Sequence, residues 1–172
     1  GRRILDSRLL RVPHGYEIAF RDAVEPDMIA LTFDDGPDPR WPPEVLDVLE
    51  REGVRATFFT VGSQMLKHPD LVRRILGAGH EIGSHTYSHA NISRIDADTL
   101  RLELNATQSV FETITGRHMA LFRAPYAVDT NPRTREEVAS LELVTELGYL
   151  SIGMDIDPKD WWLPNAGRIE RS

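Results

Sequence analysis

Two adjacent carboxylates, Asp34 and Asp35, stand where an apolar run breaks, in Thr32-Phe-Asp-Asp-Gly-Pro37. Asp, Gly and Pro are turn formers, so the segment reads first as a turn. Two carboxylates ending a buried strand are costly, however, unless they are paired or bind a cation. His85-Thr-Tyr-Ser-His89 supplies two imidazoles four residues apart. A helical turn would set both on one face, within reach of one cation. With six His in 172 residues this spacing also arises by chance, and two surface imidazoles on a capped turn are the plainer reading. One Asp with two His makes a three-ligand set with a fourth position open to water, as catalytic zinc requires. The second Asp is then available as a general base.

Arg123-Ala-Pro-Tyr126 reads either as a strand end closed by a Pro turn or as an arginine that fixes a nearby carboxylate. Asp157-Pro-Lys-Asp-Trp161 reads either as a helix start with Pro in its first position or as a polar loop. In the loop reading, Trp161 and Trp162 beside Asp157 and Asp160 offer flat faces of the kind that sugars stack on. There is no cysteine, so any metal must be held by His, Asp or Glu.

The surrounding pattern says what positions these groups. Met28–Phe33 is a short apolar strand candidate. Pro42–Glu52 carries apolar residues at helical spacing, with Gly53 beyond its end. Ala56–Val61 reads as a strand, Pro69–Leu76 as a helix, and Glu81–Ser84 as a strand. Asp96–Thr115 is a long helix closed by Gly116. Met119–Phe122 is a strand, Glu136–Leu147 a helix closed by Gly148, and Tyr149–Met154 a fifth strand. Strands alternating with helices predict an α/β fold, with a parallel sheet or a (β/α) barrel. In such folds functional groups gather at the C-terminal ends of the strands. Asp34/Asp35, His85/His89, Arg123/Tyr126 and Asp157/Trp161 each follow a strand candidate, so the rhythm predicts one cleft. Residues 1–27 read as a lead-in segment with a short hairpin around Pro13-His-Gly, and 28–172 as the domain.

The bulk properties narrow the function classes. A net charge of −7 argues against a nucleic-acid partner. No apolar run approaches the roughly 20 residues of a membrane span. Gly1–Arg11 lacks the apolar core of an export signal, so any such signal is expected outside this stretch.

Together the motifs resemble the polysaccharide deacetylase family, the NodB-homology domain of carbohydrate esterase family four. Thr32–Pro37, His85–His89, Arg123–Tyr126 and Asp157–Trp161 look like its first four motifs, in order. Ala56-Thr-Phe-Phe and Gly79-His-Glu-Ile-Gly-Ser84 look like its connecting sequence. The resemblance implies a distorted (β/α) barrel. It implies Asp34 as catalytic base, Asp35, His85 and His89 as ligands of a divalent metal (zinc, with cobalt as the alternative), and Arg123 as the residue holding Asp34. Tyr126 would bind the carbonyl oxygen through its backbone N–H, Asp157 would orient the general acid, and Trp161 would wall the acetyl pocket. His14, His68, His80 and His118 match no ligand position and read as structural.

The implied reaction removes N-acetyl groups from N-acetylglucosamine polymers such as chitin oligomers, peptidoglycan or poly-N-acetylglucosamine. O-deacetylation of acetylxylan, hydrolysis of a cyclic amide and a non-catalytic carbohydrate-binding remnant are the alternatives. A cell-envelope or extracellular setting is expected from the family. The family's fifth motif, a Leu-rich strand ending in the general-acid His, has no counterpart after Trp162. The chain therefore reads as a fragment with an incomplete barrel, and loss of one acid group costs about 10²–10⁴-fold in rate.

Overall fold

The computed structural model describes residues 7–11, 17–22, 29–40, 42–129, 132–154 and 156–162. A hairpin comes first. Strands β1 (Ser7–Arg11) and β2 (Glu17–Asp22) pair antiparallel, with Leu10 opposite Ile18. The Pro13-His-Gly turn between them lies outside the described residues. Five parallel strands follow: β3 (Thr32–Gly36), β4 (Thr57–Thr60), β5 (Glu81–Ser84), β6 (Leu121–Phe122) and β7 (Leu150–Ile152). Between them run α1 (Pro42–Glu52), α2 (Gly62–Lys67), α3 (Pro69–Gly77), α4 (Ala97–Thr115) and α5 (Arg135–Glu146). The strand order is β1-β2-β7-β6-β5-β4-β3, so the hairpin joins the sheet beside β7, and β2 lies parallel to it.

Local chemistry accounts for the helix limits. The Asp96 side chain accepts the Thr99 N–H at 2.8 Å and starts α4. Gly116, at φ 67°, ends it in the left-handed conformation that a residue without Cβ adopts freely. Thr134 and Glu137 form a reciprocal capping box at the start of α5. Leu46, Leu49, Val72, Ile75, Leu100, Leu104, Phe111, Leu141 and Val144 turn inward from the helices and bury against the sheet. Gly83 leaves room on β5 for the Phe59 ring, which a Cβ there would meet at 2.6 Å.

The curvature of the sheet can be read from one side chain. In a flat sheet β3 and β7, four places apart, would lie about 19 Å apart. Yet the Arg123 guanidinium, at the end of β6, donates to Thr32 Oγ1 on β3 (2.7 Å) and to the carbonyls of Ile152 and Gly153 at β7 (both 3.0 Å). Only a curled sheet brings these groups together, and the fold is the distorted (β/α) barrel expected.

Several local expectations change. Ile29 and Leu31 are exposed and precede the sheet, and Met28 lies outside the described residues, so the first parallel strand starts at Thr32 and runs on through the two Asp. Apolar character alone does not make a strand; partners on β4 begin only at Thr57. Helix α2 escaped the sequence reading because six residues are too few for a periodic signal. His85–His89 is an irregular loop rather than a helical turn, with Thr86 and His89 both at φ 62°. Among the described residues no helix is long and apolar enough to cross a membrane.

Candidate active site

The site starts from a bulge. Phe33 pairs with Phe58 and Gly36 with Thr60, so Asp34 and Asp35 together oppose the single Phe59. An extra residue of this kind kinks a strand and re-aims its side chains. Asp35 sits at φ 70°, and the two neighbouring carboxylates diverge: Asp34 meets Arg123, and Asp35 meets the histidines.

Asp35 Oδ1 lies 2.9 Å from His89 Nε2 and 3.3 Å from His85 Nε2. One ligand atom from each of Asp35, His85 and His89 falls within a 4.8 Å group. His85 is buried, with its Nδ1 2.8 Å from the Arg123 carbonyl. That oxygen can only accept, so Nδ1 carries a proton; Nε2 faces Asp35, donating to its carboxylate when protonated and offering a lone pair to a cation when not. The ligand atoms of a tetrahedral site with bonds of about 2.0–2.1 Å stand about 3.3 Å apart. The two measured separations come close to this, and the N, N, O donor set suits a divalent cation. The hydrogen bond to His85, aided by the charge of both imidazoles, holds the Asp35 carboxyl below its ordinary range despite partial burial. Asp35 therefore offers its anionic form to a cation.

Arg123 is buried and donates to Asp34 Oδ1 at 2.9 Å, with its guanidinium stacked 4.2 Å from the centre of the Phe59 ring. The exposed Tyr126 ring meets His89 edge-on at 4.9 Å, and its backbone takes the left-handed conformation, φ 63°. Asp34, Asp35, His85, His89, Arg123 and Tyr126 thus come together. Asp157 and Trp161 lie on an exposed turn after β7, which is not the helix start considered above. Asp157 accepts the Lys159 N–H at 2.8 Å, and Trp161 contacts Trp162 edge-on. Among the described residues neither bonds to the cluster. His80 accepts the Ala56 N–H, His118 contacts Gln108 and Glu112, and His68 sits at the junction of α2 and α3. None of these three joins the cluster. His14 and everything after Trp162 lie outside the described residues.

Two carboxylates that the motifs did not single out also touch this region. Glu103 on α4 accepts bonds from the loop between the two histidines. Its sequence signal was slight: a carboxylate beside the buried Leu100, Leu104 and Thr107 on the predicted helix. Asp129 is fully buried. Its Oδ2 accepts the Ala124 N–H at 2.9 Å, and its Oδ1 has no partner among the described residues.

Burial pushes the Asp129 pKa up to about 6, against the pull of the Ala124 N–H and the charges of Arg123 and His85. The ordinary value is 3.8, so the native chain holds an extra proton between 3.8 and about 6. Stability is unaffected below that window, falls as pH rises through it, and stays lower above it. A gap of about two units corresponds to about 3 kcal/mol. Asp129→Asn keeps an acceptor for Ala124 and cannot ionise. It should be more stable than the parent at about pH 7.5, by up to about 3 kcal/mol, and equal to it near pH 4. Urea unfolding at both pH values checks this, and a pH-independent difference would refute it.

The site is a histidine–carboxylate cluster of hydrolase type at the C-terminal ends of barrel strands. The polysaccharide deacetylase family model matches residues 21–145, and the chain belongs to that family. It is 34% identical over 146 residues to a peptidoglycan-N-acetylglucosamine deacetylase of Bacillus cereus, covering 85% of this chain and 50% of that protein. It is 36% identical over 148 residues to a chitooligosaccharide deacetylase of Bradyrhizobium, covering 84% of this chain and 63% of that one. The chain thus spans half to somewhat under two-thirds of these relatives.

Among solved structures, a variant of a Bacillus anthracis carbohydrate esterase family 4 pseudoenzyme with restored activity superposes with a TM-score of 0.77. It is 26% identical, covering 90% of this chain and 54% of that one. A family 4 carbohydrate esterase from Streptomyces lividans in complex with acetate gives a TM-score of 0.71 at 29% identity, covering 83% and 70%.

Proposed function

We propose that this chain carries the metal-binding and base residues of a deacetylase that hydrolyses N-acetyl groups on N-acetylglucosamine-containing polysaccharide and releases acetate. The observation that carries the reading is the convergence of Asp35, His85 and His89 beside an Asp34 already gripped by Arg123. A divalent cation bound there, zinc first and cobalt as the alternative, would polarise the acetyl carbonyl and acidify water. The chain's own groups serve the water-attack half of the reaction, and a general acid outside this set protonates the amine as the C–N bond breaks and acetate departs. Asp34 takes the proton of the attacking water, and Arg123 keeps that carboxylate aimed. The backbone N–H of Tyr126 donates to the carbonyl oxygen as it gains charge. Asp157 orients the general acid and Trp161 walls the acetyl group; both residues are exposed and accessible to a polymer. We expect the action at the cell envelope or outside it, where polymers of this kind are found.

The named relatives, which act on peptidoglycan and chitooligosaccharide, support the N-acetylglucosamine choice over acetylxylan. A non-catalytic role is the second reading, because the 26% identical structural relative is a variant of a pseudoenzyme. Acetate release by the zinc-loaded protein should be faster from N-acetylglucosamine oligomers than from acetylated xylan. Preference for xylan would shift the substrate, and no acetate from either, in an assay sensitive enough to see a rate slowed about 10⁴-fold by a missing acid, would favour the binding role.

A further inference from the structure

The loop between the two histidines is irregular, so its amides need partners from elsewhere. Glu103 provides them. Its Oε2 accepts the N–H groups of Tyr87 (2.7 Å) and Ser88 (2.8 Å), and its Oε1 accepts the Ser88 hydroxyl (2.7 Å). The carbonyls of Thr86 and Tyr87 are held from the other side by the N–H groups of Gly62 and Ser63 at the start of α2, both at 2.9 Å. The loop is therefore gripped between α4 and α2 while Thr86 and His89 take left-handed conformations, φ 62°, that residues with a Cβ adopt reluctantly. A disfavoured conformation persists only where its surroundings impose it.

We propose that Glu103 is a positioning residue for the metal site: its carboxylate fixes the His85–His89 loop so that His89 Nε2 faces Asp35. This rests on the reading that Asp35, His85 and His89 hold a divalent cation. Glu103 touches neither the cation nor the substrate. It acts through the backbone on one ligand arm, while His85 is held independently by the Arg123 carbonyl.

The test has a metal-free arm and a metal-bound arm. In the metal-free protein, hydrogen exchange at the Tyr87 and Ser88 amides should quicken in Glu103→Ala and stay near the parent rate in Glu103→Gln, whose single amide oxygen can still accept both. Titrated with Zn2+ alone, Glu103→Ala should bind about 10- to 100-fold more weakly than the parent, and Glu103→Gln within a few-fold of it. In a His89→Ala background, Glu103→Ala should cost little further, because the arm it positions is gone.

A Glu103→Ala variant that binds Zn2+ like the parent, or leaves both amides as protected, overturns the proposal. An equal loss of affinity with and without His89 assigns Glu103 a general structural role and overturns it too. Should the parent itself bind no Zn2+, the metal reading fails. The exchange arm then shows separately whether Glu103 orders the loop.

Discussion

The His85→Ala/His89→Ala double variant is expected to keep its fold and lose stoichiometric zinc. Each imidazole presents Nε2 to Asp35 Oδ1, at 3.3 and 2.9 Å, and removing both leaves Asp35 as the sole donor of the group. Partners one layer outside a metal are worth about 10–100-fold in affinity. Direct ligands should each be worth at least the upper figure, so the pair should cost at least about 10⁴-fold, or about 5.5 kcal/mol.

Two readouts check this. Metal analysis after dialysis should find about one equivalent in the parent and none in the variant. Thermal unfolding with zinc near one hundred times the parent's Kd should stabilise the parent by about 2.7 kcal/mol and leave the variant unmoved. Asp34→Asn is the control, because Asp34 bonds to Arg123 rather than to the histidines; it should still take up zinc. Zinc retained by the double variant would refute the ligand assignment.

Arg123→Met should be the most destabilising single change at the site, by about 3–5 kcal/mol. The arginine is buried and holds four oxygens: Thr32 Oγ1, Asp34 Oδ1 and the carbonyls of Ile152 and Gly153. Methionine fills much of the volume over Phe59 but donates nothing. It leaves polar groups unpaired where water reaches poorly, and each costs about 1–3 kcal/mol. The loss falls on a domain whose whole stability is of the order of 5–15 kcal/mol. Arg123→Lys should recover little, since a compact ammonium cannot span the directions a planar fork reaches. Urea unfolding of the metal-free protein measures both variants, and a cost below about 1 kcal/mol for Met would show that the cross-sheet bonds add little.

Much of the scaffold was legible because it rests on local chemistry. Pro42–Glu52 and Glu81–Ser84 fall where spacing and breakers put them, and Asp96 and Gly116 bound α4 as expected of a cap and a left-handed stop. The alternation of strands and helices implied parallel pairing, since a parallel pair needs a crossover between its strands. Less legible was whatever depends on a distant partner. The hairpin's place beside β7 and the start of β3 are set by which backbone groups find a ladder, and composition does not encode that.

For the site, the residue types and their order along the chain already named the ingredients: two carboxylates, two imidazoles and an arginine, each after a strand candidate. The tertiary structure alone decided their division of labour. A bulge opposite Phe59 sends Asp34 and Asp35 to different partners. A curled sheet lets one guanidinium bind β3 and β7 together. A carboxylate on α4 holds the histidine loop. Local preference acts over a few residues, and these contacts join positions 15 to 91 residues apart. Only the curl of the sheet and the packing of α4 against it bring them within a hydrogen bond of one another.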